Sequence, residues 1–175
     1  MNRNILIFLV ILALVVVQIS FLNQLSSDIV SLNLILLFLV FIVFRLEIIP
    51  LLWWSLVVGF ILDLFSAFPF GTTMIVTIIT SLSLHFLFQN FLTNRSLYSF
   101  VLLTIIGTLI YNILFFLGSL IFHSLNLQNY YLLSGSQFWA GLFWQIILNS
   151  IIAFPFFLVI RFLSNRFQRR FLVTK

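Results

Sequence analysis

Residues Gly59 to Gly71 read GFILDLFSAFPFG. Asp63 stands in that run with Ile, Leu and Phe close on both sides. The chain has only three acidic residues, and the other two, Asp28 and Glu47, fall in polar breaks. An ionised carboxylate at mid-membrane costs roughly 2.5–3.5 kcal/mol on insertion scales. What holds Asp63 decides between a catalyst, a transporter and a scaffold.

The surroundings of that run are set by composition. Of 175 residues, 63% are hydrophobic and 6% are charged. A soluble domain carries about 25% charged residues. Too little polar surface is available to face water, so the solvent must be lipid. The length suits one integral membrane domain, residues 1–175. There is no cysteine, which excludes disulfides, a thiolate nucleophile and Cys-bearing metal sites. The net charge of +5 invites a nucleic-acid reading, but the eight basic residues are scattered among apolar runs. In a membrane protein a basic excess reports orientation instead.

Six apolar segments follow one another: Ile5–Leu22, Ile29–Phe44, Ile48–Phe65, Thr72–Leu92, Leu97–Phe122 and Phe138–Ile160. A hydrocarbon core about 30 Å thick needs about 20 helical residues. These predict an all-α polytopic protein with six transmembrane helices. The breaks have turn chemistry. Asn23-Gln24-Leu25-Ser26-Ser27-Asp28 offers a Ser or Asp to cap the second helix. Pro50 falls in the first turn of the third. Ala67-Phe68-Pro69-Phe70-Gly71 is punctuated by Pro and Gly. Thr93-Asn94-Arg95-Ser96 is polar, and the uncharged loop from His123 to Gln137 holds Tyr130-Tyr131, suited to a membrane–water interface. The start, Met-Asn-Arg and then an apolar run, lacks a small-x-small cleavage site and reads as an uncleaved first helix.

With six spans, Arg3, Arg45, Arg95, Arg161, Arg166, Arg169, Arg170 and Lys175 all fall on one side. That excess marks the cytoplasmic face, so both termini are expected there. The Arg166, Arg169, Arg170 cluster suits the anionic inner leaflet.

Polar residues keep to stripes. Ser55, Gly59, Asp63 and Ser66 share one face of the third helix, and Thr73, Thr77, Thr80 and Ser81 one face of the fourth. Thr104, Gly107, Thr108, Tyr111, Asn112, Gly118 and Ser119 line the fifth, and Gly141, Gln145 and Asn149 the sixth. The plain reading is helix packing through small residues and interhelical hydrogen bonds. The sharper one is a polar cavity among helices three, five and six. The first two helices are nearly free of polar residues at their middles and are expected to face lipid or a partner helix.

Asp63 has three readings. Its carboxylate could accept N–H groups from the Phe68–Gly71 turn or from the start of the fourth helix, whose dipole favours an anion. It could meet a partner or ligand. Catalysis would need a second titratable group within reach, and Asp28 is the only other acid expected at that end. His85 and His123 are expected at opposite faces, so they share no metal. No H-E-x-x-H, G-x-S-x-G or Walker pattern occurs. No cofactor is expected, and no catalytic constellation.

Gly59-Phe60-x-x-Asp63-Leu64 followed by Pro69-x-Gly71, with Tyr111-Asn112 in the fifth helix, resembles the bacterial rod shape-determining MreD family. Size and six-helix plan agree with it. The resemblance implies a fold similar to the substrate-binding subunits of energy-coupling-factor transporters. It implies a non-catalytic inner-membrane scaffold that binds a bitopic MreC and joins MreB, RodA and a class B penicillin-binding protein in side-wall peptidoglycan synthesis. Gly59, Asp63, Pro69, Gly71, Tyr111 and Asn112 become the structural or partner-interaction candidates. The alternative is a vitamin-like substrate-binding subunit of a transporter. Such subunits carry small residues spaced by four in the first helix, where this chain has Leu9, Ala13 and Val17.

The charge pattern makes a topological prediction. Reporter fusions at Arg95 and at the C-terminus read cytoplasmic, and fusions near Asn126 read extracytoplasmic. A cytoplasmic signal at Asn126 would remove the six-span plan.

Overall fold

The computed structural model describes residues 3–20, 32–66, 68–92, 96–124 and 135–171. The described residues form six α-helices: α1 (Arg3–Ser20), α2 (Leu34–Arg45), α3 (Ile48–Asp63), α4 (Thr72–Asn90), α5 (Leu97–Ser124) and α6 (Gly135–Phe171). Three stretches are long and apolar enough to cross a membrane: Thr72–Asn90, Leu97–Phe122 and Phe138–Leu158. Phe8–Gln18, Leu34–Arg45 and Ile48–Asp63 are shorter apolar helices.

Neighbours in sequence run antiparallel. In the α3–α4 hairpin the Ser55 hydroxyl lies 2.7 Å from that of Ser81, and the Thr77 hydroxyl lies 3.3 Å from the Ser55 carbonyl. Along α5 and α6, Asn112 Nδ2 donates to Gln145 Oε1 at 2.7 Å. Asn149 Nδ2 donates to the Thr108 hydroxyl at 3.1 Å. The alternation brings Arg45, the start of α5 and the C-terminal half of α6 to one end of the bundle. That end is packed with rings: Phe44 lies 4.7 Å from Phe88 and 5.4 Å from Phe100, and Phe100 lies 5.4 Å from Phe157. The other end is packed with amides.

α2 is the axis. It packs against each of the other helices, and Leu36, Leu37, Leu39 and Val40 are fully buried. The expectation that α2 faces lipid or a partner is therefore corrected. The cause is the solvent: lipid is as apolar as a leucine core, so hydropathy does not separate inside from outside. The start of α2 is corrected too. Helix begins at Leu34, not Ile29, with residues 29–31 outside the description. The cap is Asn33, whose side chain accepts from the Leu36 N–H at 2.9 Å, rather than a Ser or Asp further back.

Twelve residues make α2 about 18 Å long, so its first N–H groups lie inside the bundle. Each needs a protein partner there. The Asn33 N–H donates to Asn149 Oδ1 of α6 at 3.0 Å. The Leu34 N–H donates to Gln18 Oε1 of α1 at 2.9 Å, and Gln18 Nε2 returns a bond to the Leu32 carbonyl at 2.7 Å. Two amide side chains from the first and last helices thus finish the second.

α3 packs on α1, α2 and α4, and its backbone does not come close to that of α5 or α6. The polar stripes meet in hydrogen-bonded seams, α3 with α4 and α5 with α6, as the packing reading expects. α6 runs past the expected Ile160 to Phe171, with Pro155 inside it.

Gln18→Leu makes α1 more apolar, yet it leaves the Leu32 carbonyl and the Leu34 N–H unpaired. Each buried orphan costs about 1–3 kcal/mol. A fall in thermal stability in detergent is expected, while Leu12→Ala on the exposed face of α1 changes it little. Equal stability for Gln18→Leu and the parent would refute the amide cap.

Candidate functional site

The α4 helix begins at Gly71, which sits at φ 94°, ψ −15° and has no side chain to cap the helix. The cap comes from α3. Asp63 Oδ2 accepts from the Gly71 N–H at 2.9 Å and the Met74 N–H at 3.1 Å. Oδ1 accepts from the Thr73 N–H at 2.9 Å and from the Thr73 hydroxyl. One carboxylate thus meets three backbone donors and one hydroxyl at the positive end of a helix, where a negative charge is stabilised. Asp63 is 5% exposed. Its oxygens are occupied by donors of its own chain.

Around this bond the turn closes on itself. The Ser66 N–H donates to the Asp63 carbonyl at 3.2 Å, and the Phe68 N–H to Ser66 Oγ at 3.1 Å. The Pro69 carbonyl accepts from the Thr72 N–H at 3.2 Å and the Thr72 hydroxyl at 2.6 Å. The glycines do different work. A Cβ on Gly59 would stand 2.6 Å from Met74 Cα and closer still to Thr77 Oγ1, so Gly59 sets how near α3 and α4 approach. A Cβ on Gly71 would meet nothing, so Gly71 is needed for its left-handed backbone.

Tyr111 and Asn112 lie on the far side of the turn. Phe68 packs 5.3 Å from Phe115, and Phe115 packs 4.8 Å from Tyr111. The Tyr111 side chain hydrogen-bonds to Asn33 and lies within electrostatic reach of Asp63. Asn112 bonds to Gln145 and to the Thr108 carbonyl, at 2.7 Å each. The six candidates therefore gather at one end of the bundle. They form two linked units, the Gly59–Gly71 turn and the α5–α6 amide pair.

Sequence reasoning missed Gln18 and Asn33 as members of that end. Gln18 was legible as a lone amide near the end of an apolar helix; Asn33 was hidden inside a span assigned to helix. His85 lies on α4, twelve residues beyond Thr73 and so about 18 Å along the axis, out of proton-transfer range of Asp63. No three His, Cys, Asp or Glu residues group together among the described residues. Asp28, Ala67, Arg95, the Tyr130-Tyr131 pair and Lys175 lie outside the described residues, as do the side chains of Arg3, His123, Arg161, Arg166, Arg169 and Arg170.

Comparison of the chain with protein-family models, with curated proteins and with solved structures finds no match in any of the three.

The cap ranks four substitutions. Asp63→Leu strands three N–H groups and should cost on the order of 3–5 kcal/mol. Asp63→Asn keeps one acceptor oxygen and should cost less. Gly59→Ala should cost about 1–3 kcal/mol by overpacking, and Gly71→Ala about 1–2 kcal/mol through its left-handed backbone. Thermal denaturation in detergent reads all four. Loss of function by Asp63→Asn and Asp63→Leu alike, at parental stability, would instead mark a charge-dependent site.

Proposed function

We propose that this chain is a non-catalytic scaffold of the bacterial plasma membrane. It spans the bilayer six times, in keeping with the MreD-family resemblance, with both termini cytoplasmic, as the one-sided placement of Arg and Lys implies. Its task is to dock the single membrane helix of a MreC-like bitopic protein. Through that protein it joins MreB, RodA and a class B penicillin-binding protein in the machinery that lays side-wall peptidoglycan and keeps cells rod-shaped. The contact would be helix against helix, where close van der Waals packing drives association because lipid supplies no hydrophobic force.

The observation that carries this reading is the use made of Asp63. The one acidic side chain buried among the described residues has its acceptors occupied by Gly71, Thr73 and Met74. A carboxylate so engaged serves architecture rather than proton transfer.

A second reading, a small-molecule-binding transport subunit, draws support from the polar end of the bundle. Gln18, Asn33, Tyr111, Asn112, Gln145 and Asn149 converge there, as a polar ligand would require. Their hydrogen bonds to one another and to nearby backbone speak against it, as does α1, which presents Leu9, Ala13 and Val17 outward without a small-residue pair.

Two measurements separate the readings. Depletion of the protein in a rod-shaped host should round the cells, and purification in mild detergent should recover the MreC-like partner in a fixed ratio. Unchanged cell shape, with recovery of an ATP-binding-cassette pair and a stoichiometric vitamin-like molecule, would replace the scaffold by the transporter.

A further inference from the structure

The tip of the α3–α4 hairpin is the most apolar turn among the described residues. Leu64 is 60% exposed, Phe65 63% and Phe70 67%. Phe60 packs edge-on against Phe70 at 5.8 Å and is itself exposed. A connection that faced water would be expected to carry polar side chains, and here the one charge, Asp63, is turned inward.

Most backbone N–H groups described in this turn are paired within the chain. The Phe65 N–H donates to the Leu62 carbonyl at 3.1 Å and the Ser66 N–H to the Asp63 carbonyl at 3.2 Å. Phe68 donates to Ser66 Oγ, and Thr72 donates to the Pro69 carbonyl. Gly71, Thr73 and Met74 donate to the Asp63 carboxylate. Pro69 has no N–H to satisfy. Irregular backbone is excluded from hydrocarbon because its polar groups go unpaired there. The N–H groups named here meet that condition within their own chain.

Its depth gives an independent indication. A Cβ on Gly118 of α5 would stand 3.8 Å from the Thr72 methyl, which places the turn level with Gly118. α5 continues to Ser124, about 9 Å further. Leu120 and Ile121 are exposed along that extension. The apolar surface of the bundle therefore reaches past the turn.

We infer that Leu64, Phe65 and Phe70, at the tip of the α3–α4 hairpin, lie among the acyl chains of the leaflet opposite the Arg45 end, with Phe65 and Phe70 as the lipid contacts. The Asp63 cap favours this placement, because it pairs the Gly71, Thr73 and Met74 N–H groups at the helix start. The occupant is the bilayer itself. A water-borne partner then has no access to the turn, and the inference holds whether or not the chain docks a bitopic protein.

The chain has no cysteine, so single-cysteine labelling needs no background removal. Phe70→Cys and, separately, Phe65→Cys are reconstituted into phosphatidylcholine vesicles in mixed orientation, after thermal stability has been matched to the parent. A charged maleimide should react at least roughly tenfold more slowly in vesicles than after denaturation in detergent, since its charge resists the apolar layer. A nitroxide on the same cysteine should collide more with oxygen than with a water-soluble nickel complex. Rapid reaction with the charged reagent would overturn the inference in favour of a water-facing turn. Protection from maleimide, oxygen and nickel alike would overturn it in favour of a protein contact. If Phe70→Cys fails to fold, Phe65→Cys decides by the same readings, since its ring is absent from the Phe60–Phe70 pair.

Discussion

The Asp63 carboxylate on the Gly71, Thr73 and Met74 N–H groups is the bond on which the rest of this structure leans. It is a capping interaction supplied across a turn by a different helix. Without it, α4 would begin with open donors at a place where no water can be assumed. With it, α3 and α4 are locked in register. Gly59 can then sit against Met74, and the Ser55, Thr77 and Ser81 hydroxyls meet along the seam below. The turn that results presents Phe68 to Phe115, which seats the hairpin on α5. A single ionisable group thus sets the angle of the hairpin and the shape of one end of the bundle.

A second capping problem is solved at the same end by different chemistry. The start of α2 carries no acid. Amides serve instead: Asn33 for its own helix, Gln18 from α1 and Asn149 from α6. An amide gives a donor as well as an acceptor, so Gln18 closes both Leu32 and Leu34. Because amides carry no charge, they make this connection without the desolvation that a second carboxylate would suffer. At the opposite end a hydroxyl caps α5, Ser96 Oγ accepting from the Ser99 N–H at 3.2 Å, and Phe44, Phe88, Phe100 and Phe157 fill the space.

The helices were legible because apolar runs separated by Pro, Gly and polar breaks are strong signals. The hairpin around Asp63 was legible because an acid beside Pro69 and Gly71 has few ways to be satisfied. The arrangement of the helices was not. α2 has no polar stripe, and in a lipid-solvated protein an all-apolar helix suits the centre and the rim equally. Asn33 was read as helix because it is flanked by leucines, although its side chain is a good cap. Which helices the polar stripes would join was not legible for a related reason. Stripes show that a helix has a polar face, but not which neighbour that face meets. Tyr111 and Asn112 fell into place only once Phe68 was seen against Phe115.

The Asn33–Asn149 bond joins residues 116 positions apart. A ribosome delivers the chain from the N-terminus, so α2 is made long before the helix that supplies Asn149. During that interval the twelve-residue α2 lacks one of its donors' partners and cannot be finished by its neighbours in sequence. The last bond at its start is made only once α6 exists, so the first and last thirds of the chain close the same helix end.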